Sequence, residues 1–417
     1  MPLQQRAIEF DPGGLVAHPL LEHSDGFSPL LVTVLVLAVV LTVATRRSPA
    51  RGSSEAAGER SPAPLDSWAG SLSIAQVVTR SVAVAVLLLA VVAGRFGSPD
   101  QLRNIAPALV IGAAWPLLVL GSALLGPVWR WVDPWDGLAR FGARGESHDP
   151  AAESESGPEN VWPAFLPALL WVWYLSVFAG SLDPPSVGAA LAIYTVVTVA
   201  GCLAFGRKRW LSRVEVFGLL FGWIARVARG VLPTWRPPPG AQVVLGVLAG
   251  GLLFGALRRT SLWGALNVAP LALAYATAGL VASCALVAGG LSALERWSDR
   301  LGAAGTVTAA SVPAVASLVV AFGLARNRLF TSVQLLPARA SDPFGLGWDL
   351  FGTADWTLNP DPLGHVGLPL LQIGILLVGH VAGAWILTRR SEPPERRAGT
   401  VALGMLVALA AFAVTVT

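Results

Sequence analysis

The side chains equipped for chemistry in this 417-residue chain are few and scattered. His380 stands in GHVAGAW inside a long apolar run, with Gln372 two helical turns before it on the same face. An imidazole at membrane depth is costly and faces protein or water. It therefore points to a metal, proton or substrate site, or to a neutral ring satisfied by a carbonyl or hydroxyl of a neighbouring helix. The stretch SDPFGLGWDLFGTADWTLNPDPLGH, residues 341 to 365, offers Asp342 and Asp349 as carboxylate ligands or bases, Trp348 beside them and His365 at its end. His18 and His23, in LVAHPLLEHSDG, sit near Glu22 and Asp25 and have the chemistry to bind a divalent metal. Asp349 and His380 are thus the candidate catalytic groups. Asp342, Asp349, Trp348 and Gln372 are the candidate substrate-binding groups, and His18, His23, His365 and His380 the candidate metal ligands.

These residues must be positioned by membrane helices. Hydrophobic residues make up 54% of the chain and charged ones 13%, with mean hydropathy +0.63, outside the range of soluble globular domains. About 20 apolar residues cross the hydrocarbon core as a helix. Ten segments meet or approach that length: 27–45, 74–94, 105–128, 162–182, 187–206, 240–257, 264–290, 303–325, 366–388 and 399–416. The expected fold is an all-α integral membrane protein, a single domain over 27–417 that bundles about ten spans in the cell membrane behind an extracytoplasmic tail, 1–26. That tail is too long and too acidic for the start of a signal peptide, so the first span is expected to be retained. A rise of 1.5 Å per residue places His380 about 20 Å from the outer end of its span.

Basic residues set the orientation. Arg46, Arg47, Arg51 and Arg60 follow the first span, Arg207, Lys208, Arg209 and Arg213 the fifth, and Arg389, Arg390, Arg396 and Arg397 the ninth. With ten spans all three groups share one side, which the positive-inside rule makes cytoplasmic, so both termini face outward. The loop 337–365 then becomes an outer cap, its aromatics Phe344, Trp348, Phe351 and Trp356 expected to pack on the helix ends. VEVFGLLFGWIARVARG, 214–230, has a short apolar stretch and charges at helical spacing and is expected to lie on the cytoplasmic surface as an interfacial helix. The tryptophans of GPVWRWVDPWDGLARFG are expected as an interfacial belt on the same side, ending in an Asp133-Pro134 helix start. Linkers 46–73 and 142–160 have the composition of solvated chain. The sequence pI near 9.7 reflects arginines at span ends, so the expected partner is the lipid bilayer and not nucleic acid. Cys202 and Cys284 each lie in an apolar run, which argues against a disulfide framework or a cysteine metal site.

Five phrases, NIAPALVIGAAWPLLVLGSALLGPVWRWVDPW, FGRKRWLSRVEVFG, LLFGALRRTSLW, SDPFGLGWDLFGTAD and GHVAGAW, occur in an order that resembles a family of polytopic bacterial and archaeal membrane proteins labelled fenitrothion hydrolase-like. The resemblance implies hydrolysis of an organophosphate ester by metal-activated water. It carries over to His18, Asp342, Asp349 and His380. Where similar chains have an Asp and two His, this sequence has Gly255, Arg326 and Thr388.

Three functions from different classes follow. A transporter-like protein predicts a polar site near the bilayer midplane at His380 and Gln372, helices interrupted at Pro270 or Pro313, and the loop 341–365 above it. A membrane-bound metal-dependent hydrolase predicts that His18, Asp349 and His380, or His365 in place of one of them, converge. A non-catalytic partner subunit predicts tight packing without a polar site. The first ranks ahead of the second because the candidate ligands are scattered in depth.

Overall fold

The computed structural model describes residues 73–142, 160–266, 271–325, 328–359 and 362–416. The expected first span, the tail with His18 and His23, and nearly all of linkers 46–73 and 142–160 lie outside the described residues. Among the described residues all regular structure is helical. Six helices are long and apolar enough to cross a membrane. These are α1 (Ile74–Phe96), α2 (Pro107–Leu125), α5 (Pro184–Phe205), α9 (Ala272–Arg300), α10 (Thr306–Leu324) and α12 (Gly364–Arg390), whose apolar stretch begins at Gly367. Between and after them run α3 (Pro134–Gly142), α4 (Phe165–Ser176), α6 (Arg207–Arg213), α7 (Val216–Ala228), α8 (Ala241–Leu257), α11 (Arg328–Ser341) and α13 (Arg397–Val416).

Local chemistry explains several ends. Ser73 and Gln76 form a reciprocal capping box, the Gln76 amide donating to Ser73 Oγ at 3.2 Å and the Ser73 amide to Gln76 Oε1 at 3.1 Å, so α1 begins where its first amides are satisfied. α5 starts on the Pro184-Pro185 pair, whose fixed φ and missing N–H suit a first turn. The span expected from residue 264 begins as α9 only at Ala272, two residues beyond Pro270, and continues to Arg300. α2 opens as a π-helix over Pro107–Ala114 before continuing as an α-helix from Trp115.

At the centre stands α10, buried along nearly all of its length and packed on by α2, α7, α8, α9, α12 and α13. Most of its residues are Ala, Val, Ser or Thr, and their small size lets neighbouring backbones approach closely. α12 uses that property. A methyl group added at Gly379 or Gly383 would lie 2.6 Å from the carbonyl of Pro313 or Ala310, respectively. α1 packs on α5 and α3 at the other side of the bundle, and α2, α4 and α7 bridge the two.

The segment expected as an interfacial helix differs from that reading. In α7, Leu220, Phe221, Trp223 and Ile224 are buried and belong to the main apolar core, with Phe217 and Phe221 against Trp115 of α2. The apolar face therefore meets protein. The expected tryptophan belt is also redistributed: Trp129 and Trp135 are buried while Trp131 remains exposed, because Trp129 and Trp135 pack against the Phe rings of α7 and against each other.

Candidate functional site

On α12, His380 is fully buried. Its Nδ1 lies 2.7 Å from the Leu376 carbonyl one turn back, so Nδ1 carries the hydrogen of a neutral ring and Nε2 is left as a lone pair. Nε2 faces the Leu406 backbone of α13 without forming a hydrogen bond. A buried ring nitrogen left unsatisfied costs free energy unless another group or a proton engages it. Gln372, also buried, donates to the Ala321 carbonyl of α10 at 3.0 Å and ties α12 to the C-terminal half of α10. Ser317 completes this face, opposite Gly379.

The loop after α11 is ordered by its own polar residues. Asp342 Oδ1 and Oδ2 accept from the amides of Leu346 and Gly347 at 2.9 and 2.7 Å. Slight burial works to raise its pKa, but the amides of Gly347, Leu346, Trp348 and Gly345 prevail and hold the carboxyl below its ordinary value. Asp349 Oδ1 accepts from the Ala354 amide at 3.0 Å, and Ser341 Oγ accepts from Phe351 and Thr353. The loop docks on the turn after α1, with the Ser98 amide donating to the Phe344 carbonyl at 2.7 Å. The aromatics correct the expectation: Trp348, Phe351 and Trp356 are 44%, 70% and 56% exposed, and Phe344 alone of the four tucks in, edge-on to Trp348. The loop is held by hydrogen bonds, which leave its large apolar side chains turned outward.

Among the described candidate ligands, Asp349 and His380 do not converge: Asp342 and Asp349 are engaged in the loop 342–359, whereas His380 is fully buried 16 residues from the start of α12, about 24 Å at 1.5 Å per residue, and His18 and His23 lie outside the described residues. Among the described residues no three His, Cys, Asp or Glu side chains gather as metal ligands. His380 beside backbone carbonyls does not fit a divalent ion, so no metal-dependent step is derived from it.

Sequence reasoning missed the most concentrated polar site, which lies at the end of the bundle carrying Arg207–Arg213. Asp136 of α3 is fully buried and forms ion pairs with Arg80 of α1, Arg207 of α6 and Arg140, the last at 3.0 Å. Asp133, also fully buried, caps α3: its Oδ1 accepts from the amides of Trp135 and Asp136, both at 3.0 Å, while Oδ2 has no partner. Glu215 caps α7, accepting from the Phe217 and Gly218 amides at 3.0 and 2.6 Å and from the Tyr194 hydroxyl of α5 at 2.7 Å. Burial, followed by the Glu215 and Asp136 carboxyls, pushes Asp133 well above the ordinary carboxylate range. Burial raises Glu215 to about 7 against the pull of Tyr194, Gly218 and Phe217. Two signals were present in the sequence: Arg80 inside an otherwise apolar run, and two aspartates among three tryptophans.

Comparison with known protein families, with functionally described proteins and with solved structures finds no match to this chain.

Proposed function

We propose that this membrane-embedded helical protein is transporter-like, a multi-pass bundle of about ten spans with both termini outside, whose polar path runs along the contact between α10 and α12. The observation that carries the reading is His380, fully buried in the bundle interior with Nε2 unsatisfied. Ionisable residues kept at such depth mark ion and substrate pathways more often than packing. The surrounding helices supply what a moving contact needs. Pro313 interrupts the hydrogen bonding of α10, Gly379 and Gly383 give α12 a smooth face, and Ser317 and Gln372 line it with polar groups. Positive-inside orientation puts the Asp136 cluster on the cytoplasmic side and the loop 342–363 outside. The reading is tested by asking whether water reaches the α10–α12 contact, through a cysteine placed at Ser317 and labelled from each side of the membrane.

A further inference from the structure

We infer that Glu215, together with Asp133 and Asp136, forms a proton-binding site at the cytoplasmic end of α3, α5 and α7, with Glu215 as the carboxyl that takes up and releases the proton. The charge arrangement requires it. Three carboxylates are buried there, and the three guanidiniums of Arg80, Arg140 and Arg207 all engage Asp136. Among the described residues no cation forms an ion pair with Asp133 or Glu215, whose oxygens meet only backbone amides and the Tyr194 hydroxyl. Two buried carboxyls close enough to act on each other, neither in an ion pair, cannot both remain ionised at modest cost. Asp133 holds its proton on the partnerless Oδ2. Glu215 has enough donors to be ionised and enough burial to resist, so it is the group that changes state.

An independent feature points into the same place. Trp129 is 7% exposed and its indole Nε1 has no hydrogen-bond partner. A methyl group at Gly218 would sit 2.6 Å from Glu215 Oε2 and 3.3 Å from Trp129 Nε1, so the bare glycine leaves the carboxylate and the indole donor facing one small space. When Glu215 gives its proton to cytoplasmic water, the indole N–H, unbonded in this structure, is free to turn onto the anion. When the proton returns, that donor is released. The groups around the site are Arg80 from α1, Asp133, Asp136 and Arg140 from α3, Tyr194 and Cys202 from α5 and Arg207 from α6. α2, α4 and α10, which pack on the rest of α7, bring no charged side chain. As the coupling-ion site of a transporter, the cluster rests on the proposed function, whereas its chemistry does not.

The test is an infrared pH titration of the purified full-length protein in detergent, read at the carboxylic-acid C=O band, with protons as the only ligand added. A band titrating near neutrality, lost in Glu215→Gln and unchanged in Asp349→Asn, is expected. Tyr194→Phe removes a donor to the carboxylate, and Trp129→Phe removes the free indole N–H that the anion would engage; each is expected to move the midpoint up by about one pH unit, the effect of one charge-assisted hydrogen bond. These two variants decide the matter if Glu215→Gln does not fold. A band that still titrates near neutrality in Glu215→Gln, or a midpoint indifferent to both Tyr194→Phe and Trp129→Phe, overturns the site. Labelling of a cysteine at position 317 is independent of this result, so failure of the proton site and failure of the transporter reading are separable.

Discussion

Ser317 of α10 stands against Gly379 of α12 with no room for a side chain between them: a methyl group on Gly379 would run into the Ser317 hydroxyl and lie 2.6 Å from the Pro313 carbonyl. Gly374, five residues earlier on the same helix, faces open space. Gly379→Val therefore forces α10 and α12 apart, at a cost of about 1–3 kcal/mol for overpacking, whereas Gly374→Val leaves the contact intact. Thermal unfolding in detergent is expected to separate the two, with only Gly379→Val showing a clearly lower transition.

Asp136 holds three arginines in a buried place, and Asp349 accepts one amide in an exposed loop. Removing one partner of a buried ionic cluster strands the others, typically at about 3–5 kcal/mol. Asp136→Asn is expected to destabilise by that order. Asp349→Asn is expected to change the unfolding transition by roughly 1 kcal/mol or less. Equal effects would show that the arginine cluster is not structurally coupled.

Glu215 makes stability depend on pH with a definite sign. Its folded value, about 7, lies above the ordinary 4.5, so the folded state binds more protons between those limits. Stability from this group is complete below about pH 4.5 and is lost as pH rises through about 7, a change on the order of 3 kcal/mol at 1.4 kcal/mol per unit. Melting curves across this window should decline for the native chain and flatten for Glu215→Gln.

Asp342 acts in the opposite direction. Its amide bonds favour the carboxylate, so its support of the loop is present above the ordinary carboxyl pKa and is lost as acid protonates it. Asp342→Ala is expected to expose Trp348 and Phe351 to faster chymotrypsin cleavage at neutral pH. Phe351→Ser, at a side chain 70% exposed, is expected to shift unfolding by no more than about 0.5 kcal/mol.

The membrane helices were legible because a bilayer requires long contiguous apolar runs, a constraint written locally in sequence. Asp342, read as a candidate ligand, instead serves its own loop by accepting from amides four and five residues away. The Asp136 cluster was not, because Arg80 and Arg207 reach it from 56 and 71 residues away in sequence. Periodicity described the charges of α7 but could not distinguish a face turned to lipid from one packed on Trp115. The outward aromatics of the loop were missed because an apolar residue beside turn residues carries no record of which way it points.

Access of water to position 317 tests the transporter reading most directly. In a background carrying Cys202→Ala and Cys284→Ala, Ser317→Cys is exposed in sealed membrane vesicles of each orientation to a membrane-impermeant thiol reagent. A protein whose α10–α12 contact opens in turn to both sides is predicted to be labelled in both orientations, although Ser317 is buried in the structure. Failure to label in either orientation, while a cysteine at the exposed Asp355 reacts normally from outside, would mean that α10 is a sealed core and would contradict the account.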